Sequence, residues 1–207
     1  MRVLVAFEES QTVCKAFRAR GHEAYSCDVI ECSGGHPEWH IKGDARDVIN
    51  DGWDMMIAHP PCTHLCVSGA RWFASGHKPL KLQDDALDFV RAMMDAPIDK
   101  IAIENPISVI SSKIKKTTQI IRPFQFGENS TKATCLWLKN LPKLEPTKII
   151  TPEKHTTKSG KVYDKWWFDT CLISDLKLRA KVRSKTFPGI ADAMADQWGG
   201  NAKQQTL

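Results

Sequence analysis

The chain has 207 residues, 42% apolar and 26% charged, with seven cysteines and a net charge of +5. At roughly 150 residues per domain it reads as a single domain over 1–207, long enough to bury a core without a disulfide or metal staple. Its composition excludes long-range disorder, and no run approaches the ~20 apolar residues of a membrane span.

The predicted elements follow in chain order. Arg2–Phe7 is a nearly continuous apolar run, the pattern of a strand buried on both faces. Ser10 or Thr12 can cap the next helix, in which Val13, Ala16 and Phe17 share a face and which Gly21 ends. His22–Cys27 predicts a second strand, closing on Asp28, and Asp54–Ala58 a third, stopped by Pro60-Pro61. Leu82–Asp95 carries the clearest helical stripe: Leu82, Ala86, Phe89, Val90, Met93 and Met94. Lys100–Ile103 predicts a fourth strand, with Glu104-Asn105-Pro106 after it, and Ala133–Leu138 a fifth. Residues 142–168 read as an exposed basic loop running into the aromatic cluster Trp166-Trp167-Phe168. Gly189–Trp198 reads as a short amphipathic helix. The alternation predicts an α/β fold with a mostly parallel sheet flanked by helices.

Charge is uneven along this order. Residues 1–62 hold 6 Lys/Arg against 10 Asp/Glu, whereas residues 112–207 hold 18 against 8. A basic final third suits contact with nucleic acid, or is simply a solvated surface. With no apolar leader at the N-terminus and an odd number of scattered cysteines, reduced thiols and a cytoplasmic setting are expected.

In open α/β sheets, ligands bind beyond the carboxyl ends of the strands. The residues there are Phe7-Glu8-Glu9-Ser10, Asp28, His59-Pro60-Pro61-Cys62 and Glu104-Asn105, with Asp44 in the connection after the second strand. Asp28 suits a ribose diol, or is a turn or cap. Asp44 can accept from an adenine amino group, or make a Gly-Asp turn. Two prolines hold Cys62 at a strand exit, and His59 and His64 lie close enough in sequence to stabilise a thiolate there; the alternative is a buried structural cysteine. Glu104 can protonate or hydrogen-bond a ring nitrogen of a bound heterocycle, or end a strand in a turn. Cys27, Cys32, His36 and His40 match no zinc spacing, so no metal is expected.

The order of these pieces resembles the carbon-5 cytosine-specific DNA methyltransferases. It is closer to their short phage and prophage branch, through His-Pro-Pro-Cys-Thr-His-Leu (59–65), Ile-Glu-Asn-Pro (103–106), Thr-Cys-Leu-Trp-Leu-Lys (134–139) and Gly-Ile-Ala-Asp-Ala-Met-Ala (189–195). The resemblance implies a Rossmann-like fold dependent on S-adenosylmethionine, which methylates cytosine carbon 5 in DNA through a covalent cysteine adduct. By the same resemblance, Cys62 is the nucleophile. Glu104 engages ring nitrogen 3, and Asn105 supports the Pro-Pro-Cys loop. Phe7, Glu8, Glu9, Ser10, Asp28, Asp44 and Pro60 meet the cofactor. A bacterial or phage-infected cell is the expected setting.

Three departures bear on this. The family's cofactor loop, Phe-x-Gly-x-Gly, is here Phe7-Glu8-Glu9-Ser10-Gln11. Lys132 stands where an arginine-rich motif belongs, as a stand-in that cannot reproduce a bidentate fork. Only about 50 residues separate the fifth strand from the closing helix, too few for a full target-recognition domain. DNA contact is therefore expected from Lys154, Lys158, Lys161 and Lys165. Arg183, within Arg179–Lys185, and a helix near 113–122 are the second choice. Recognition of the target then falls to a protein partner or a second copy of the chain. Methylation of a free cytosine nucleotide and a non-catalytic nucleic-acid-binding or protein-binding module are the competing readings.

Overall fold

The computed structural model describes residues 1–200. Its elements are β1 (Arg2–Ala6), α1 (Thr12–Ala19), β2 (Glu23–Asp28), β3 (His40–Lys42), α2 (Ala45–Val48), β4 (Met55–Ala58), α3 (Ala70–Ala74), α4 (Leu80–Met94), β5 (Lys100–Pro106) and α5 (Ile110–Lys113). They continue with β6 (Gln119–Ile121), β7 (Thr134–Lys139), β8 (Lys154–Thr156), β9 (Val162–Asp164), α6 (Lys165–Cys171), α7 (Leu176–Ser184) and α8 (Pro188–Met194).

Seven strands form one sheet in the order β3-β2-β1-β4-β5-β7-β6. β7 runs antiparallel to both neighbours, while the pairings among β1 to β5 are parallel. This is a Rossmann-like α/β architecture with a mostly parallel sheet. β1 pairs with β2 on one edge and β4 on the other, so the chain reverses its winding there. The crevice beyond the carboxyl ends of β1 and β4 is where such a sheet binds ligands.

Alternating side chains of the central strands build two cores, because successive residues point to opposite faces. Val3, Val5, Met55, Ile57 and Ala102 pack with Phe17 of α1 and Ile190, Met194 and Trp198 near the C-terminus. Leu4, Ala6, Met56, Ala58, Ile101 and Ile103 pack with Leu87, Val90 and Met93 of α4. Both faces are thus covered, the arrangement that the apolar run of β1 predicts.

Several elements depart from the expectations. β5 does not turn at Glu104; it continues to Pro106, because Glu104, Asn105 and Pro106 pair with Leu136, Cys135 and Thr134 of β7. α4 begins two residues early and buries Leu87, while Leu82 is 39% exposed. Neither Ser10 nor Thr12 caps α1. Gln11 occupies that position in the left-handed region (φ 58), and Glu8 supplies the capping carboxylate. Residues 113–122 hold the end of α5 and strand β6 rather than one helix. The segment 142–168 contains the β8–β9 hairpin and the start of α6. α8 is continued by a π-helical turn over Ala195–Gly199.

Candidate active site

The crevice holds two lobes that share His59, Pro61, Lys181 and Ser184. The larger, about 510 Å³, is lined by Cys62, Glu104, Asn105 and Lys132, with Ala180 and Arg183 of α7 as part of its roof. The smaller, about 320 Å³, is lined by Phe7, Glu8, Glu9, Ser10, Asp28 and Ile30, with Lys185 and Thr186 opposite.

The larger lobe is built around the exits of β4 and β5, which are adjacent parallel strands. Asn105 is buried and its Nδ2 donates to the Pro60 carbonyl at 2.8 Å, tying the Pro-Pro-Cys turn to β5. The backbone N–H groups of Leu65 and Cys66 donate to the Cys62 carbonyl at 3.0 and 2.9 Å, which fixes the turn from the other side. Burial pushes the Cys62 thiol up, with the neighbouring Cys66 adding to the rise and Lys132 opposing it. The resting group is therefore the thiol, contrary to the depressed value expected of a free-standing nucleophile. Cys14 and Cys27, deeper still, are pushed up to about 12 and about 11 by burial and serve as core.

His59 does not attend Cys62 as expected. Its Nδ1 lies 2.5 Å from Glu104 Oε2, and the two side chains are only 13% and 14% exposed. Burial opposes the imidazolium, but the hydrogen bond and charge of Glu104, with help from Glu8, outweigh it and hold His59 above the ordinary histidine value. Burial likewise pushes Glu104 up, and the His59 contact, Lys132 and Thr186 outweigh it and hold the carboxyl below its usual range. Thr186 Oγ1 also approaches Glu104 Oε2, at 3.5 Å. His64 instead packs edge-on against Phe73.

In the smaller lobe, the chain leaves β1 through Phe7, whose φ of 62 is a left-handed conformation rare for a large side chain. The Phe7 and Glu8 N–H groups both donate to the Cys27 carbonyl, at 2.7 and 3.2 Å. This turn aims Glu8 at α1, where its carboxylate accepts from the backbone N–H groups of Val13 at 2.7 Å and Cys14 at 3.1 Å. Burial nonetheless pushes the Glu8 carboxyl up, against the pull of His59 and those two N–H groups. Glu9 sits beside Lys181, Oε1 to Nζ 3.7 Å, and its buried Oε2 has no partner. Asp28 accepts from the Ile30 N–H at 3.3 Å and borders the lobe.

Two expected cofactor residues fall elsewhere. Pro60 lines the larger lobe rather than the smaller. Asp44 lines neither; it caps α2, accepting from the Arg46 N–H at 2.9 Å, and pairs with the Arg46 guanidinium. Lys132 does reach the larger lobe, with its Nζ donating to the Arg183 carbonyl at 2.8 Å.

The expected DNA contacts divide. Lys154, Lys158 and Lys161 are exposed on the β8–β9 hairpin. Lys165 opens α6 and pairs with Asp169 at 2.6 Å. Arg183 turns toward α6, donating to Thr170 Oγ1 at 2.9 Å and Cys171 Sγ at 3.0 Å. The aromatic cluster is packed, with Trp166 against Phe187, Trp167 on Tyr163 and Phe168 on His155. Trp167 is still 44% exposed.

The sequence reading placed Lys181 and Lys185 only within Arg179–Lys185, as a second choice for DNA contact, and did not name Thr186. They come from α7 and the turn after it, and α7 buries no side chain of its own, so no apolar stripe announces it. Among the described residues no group of three His, Cys, Asp or Glu side chains is placed to hold a metal ion, and no helix is long and apolar enough to cross a membrane.

No protein-family model matches the chain, and no curated protein does. Among solved structures it is similar to a prophage-encoded protein of E. coli assigned as a DNA modification methyltransferase, with 12% identity and a TM-score of 0.47. The match covers 72% of this chain and 52% of that one, so the chain spans about half the length of the structure it matches.

Proposed function

We propose that the chain methylates carbon 5 of cytosine in DNA, using S-adenosylmethionine and a covalent Cys62 adduct. The observation that carries this reading is the meeting of Cys62 and Glu104 in one lobe, joined through His59 and Pro61 to a second lobe with an acidic wall. A soft nucleophile beside a carboxyl group is what attack on an electron-poor pyrimidine needs.

The smaller lobe fits the cofactor by its donor and acceptor set. Asp28 offers a carboxylate for ribose hydroxyls, Phe7 and Ile30 offer apolar surface, and the unpartnered Glu9 Oε2 awaits a donor. When bound, S-adenosylmethionine supplies an electrophilic methyl group on its sulfonium.

The target base must leave the helical stack to enter the larger lobe. Cys62 Sγ gives up its proton to water and adds to carbon 6. Glu104 passes a proton to ring nitrogen 3, drawn from its hydrogen bond with His59, so the electron pair gathers on carbon 5. After carbon 5 takes the methyl group, its proton goes to water, Cys62 Sγ departs, and ring nitrogen 3 returns its proton through Glu104 to His59, which restores the ring. Lys132 supports both the thiolate and the carboxylate electrostatically. The exposed hairpin lysines supply phosphate contacts without base readout, so the chain has little sequence specificity of its own.

A second reading has one observation in its favour. Glu8 fills the N-terminus of α1, a position that cofactor anions take in Rossmann-like folds, which suits a non-catalytic binding module. Transfer of labelled methyl to duplex DNA, single-stranded DNA and dCMP in parallel separates the readings. Labelling of DNA supports the proposal, labelling of dCMP alone moves the substrate to a free nucleotide, and labelling of none favours the module.

A further inference from the structure

Resting on the cofactor reading above, we infer that Glu9 and Lys181 form a clasp for the zwitterionic amino-acid end of the methyl donor, replacing the N-terminus of α1. Three observations lead there. The N–H groups of Val13 and Cys14 at the start of α1 are taken by the chain's own Glu8, so they are not free to hold an incoming carboxylate. Beside that plug, Glu9 carries a buried oxygen without a partner. Its other oxygen, Oε1, lies 3.7 Å from the Lys181 ammonium of α7, a residue that lines both lobes.

An α-amino acid presents an ammonium and a carboxylate on one carbon. A carboxylate and an ammonium facing each other offer the complementary pair, and their 3.7 Å spacing is longer than a direct hydrogen-bonded ion pair. Asp28, at the end of β2, serves the ribose. The amino-acid end therefore falls at the exit of β1, on the side where His59 and Pro61 join the lobes. α7 is held over this point by Arg183 on Thr170 and by Lys132 on the Arg183 carbonyl, so the clasp residue arrives on a supported helix.

The test pairs variants with trimmed ligands. Calorimetry on the full chain uses S-adenosylhomocysteine, which has the whole amino-acid end, its decarboxylated analogue, and 5′-methylthioadenosine, which lacks the end. Lys181→Met keeps the apolar stem and should weaken S-adenosylhomocysteine by about ten- to a hundredfold, the worth of one charge-assisted hydrogen bond, while leaving the other two ligands unchanged. Lys181→Arg should restore most of the loss. Glu9→Gln should weaken both amine-bearing ligands and spare 5′-methylthioadenosine. Equal losses on all three ligands, or no loss on any, overturn the clasp and leave the cofactor reading standing. A wild type that binds none of the three removes both, and circular dichroism of each variant excludes misfolding as the cause.

Discussion

Replacing Glu104 with glutamine probes the charge arrangement of the base lobe. The Glu104 carboxyl is held below its ordinary value, so its stabilising contribution is complete above about pH 4.3 and is lost as pH falls through the folded value. His59 is held above its ordinary value, so its contribution is complete below about pH 6.5 and is lost as pH rises through the folded value. On account of this pair, the wild type loses stability upward from about pH 6.5. In the variant, the strongest influence left on His59 is burial; the charge of Glu8 is weaker and is opposed by Lys132. His59 then falls below its ordinary value, and its slope reverses, so the variant gains stability as pH rises toward that value. A charged His59 left buried without its partner would cost about 3–5 kcal/mol. Deprotonation and the amide acceptor limit the loss near neutral pH to about 1–3 kcal/mol, with about 2–4 °C in Tm per kcal/mol for a chain of this length. Urea unfolding between about pH 5.5 and 8.5 reads both quantities. A variant whose stability falls with rising pH as the wild type's does would refute the pairing. Methyl transfer should drop by about a hundred- to ten-thousandfold for want of the proton donor.

The other expectations concern separate parts of the site. Cys62→Ser should abolish transfer by several orders of magnitude and keep the fold; DNA carrying 5-fluorocytosine should be trapped covalently by the wild type alone, and near-normal transfer by the variant would exclude the adduct. Asp28→Ala should weaken S-adenosylmethionine by about 1–3 kcal/mol, measured by calorimetry. Asp44→Ala should leave that affinity intact and lower unfolding stability by about 1 kcal/mol, the worth of a helix cap, so equal losses of affinity in the two variants would return Asp44 to the cofactor. Replacing Lys154, Lys158 and Lys161 with alanine should weaken binding to all DNA sequences alike and flatten the log–log salt dependence by up to about 0.9 per lost contact. Adding Lys165→Ala should change that slope little, since Asp169 already holds its charge.

The parts of the fold that were legible are those where local composition and burial coincide. β1, β4 and β5 read as strands because a parallel strand covered on both faces needs an unbroken apolar run. β3, His40-Ile41-Lys42, and β6, Gln119-Ile120-Ile121, are three-residue edge strands with little burial, so no periodicity marks them. The 142–168 segment looked structureless because its hairpin strands face solvent in large part. Its aromatics pair with one another and with Phe187 rather than with the main core.

For the site, the side chains that stand at the strand exits are legible from the chain alone, since chain order and strand ends are local properties. The sequence could not determine whom those side chains meet. His59 lies three residues from Cys62 in sequence but pairs with Glu104, 45 residues away, because β4 and β5 are neighbours in the sheet. Glu8 belongs to the expected cofactor loop, yet its carboxylate goes to α1, because the left-handed turn at Phe7 and the free helix N–H groups draw it there. Lys181, on a helix with no buried face, reaches the site only because Arg183 and Lys132 anchor that helix across it. Burial decides these pairings: a charge taken out of water must find a partner within a few ångströms, and only the tertiary structure brings that partner within reach.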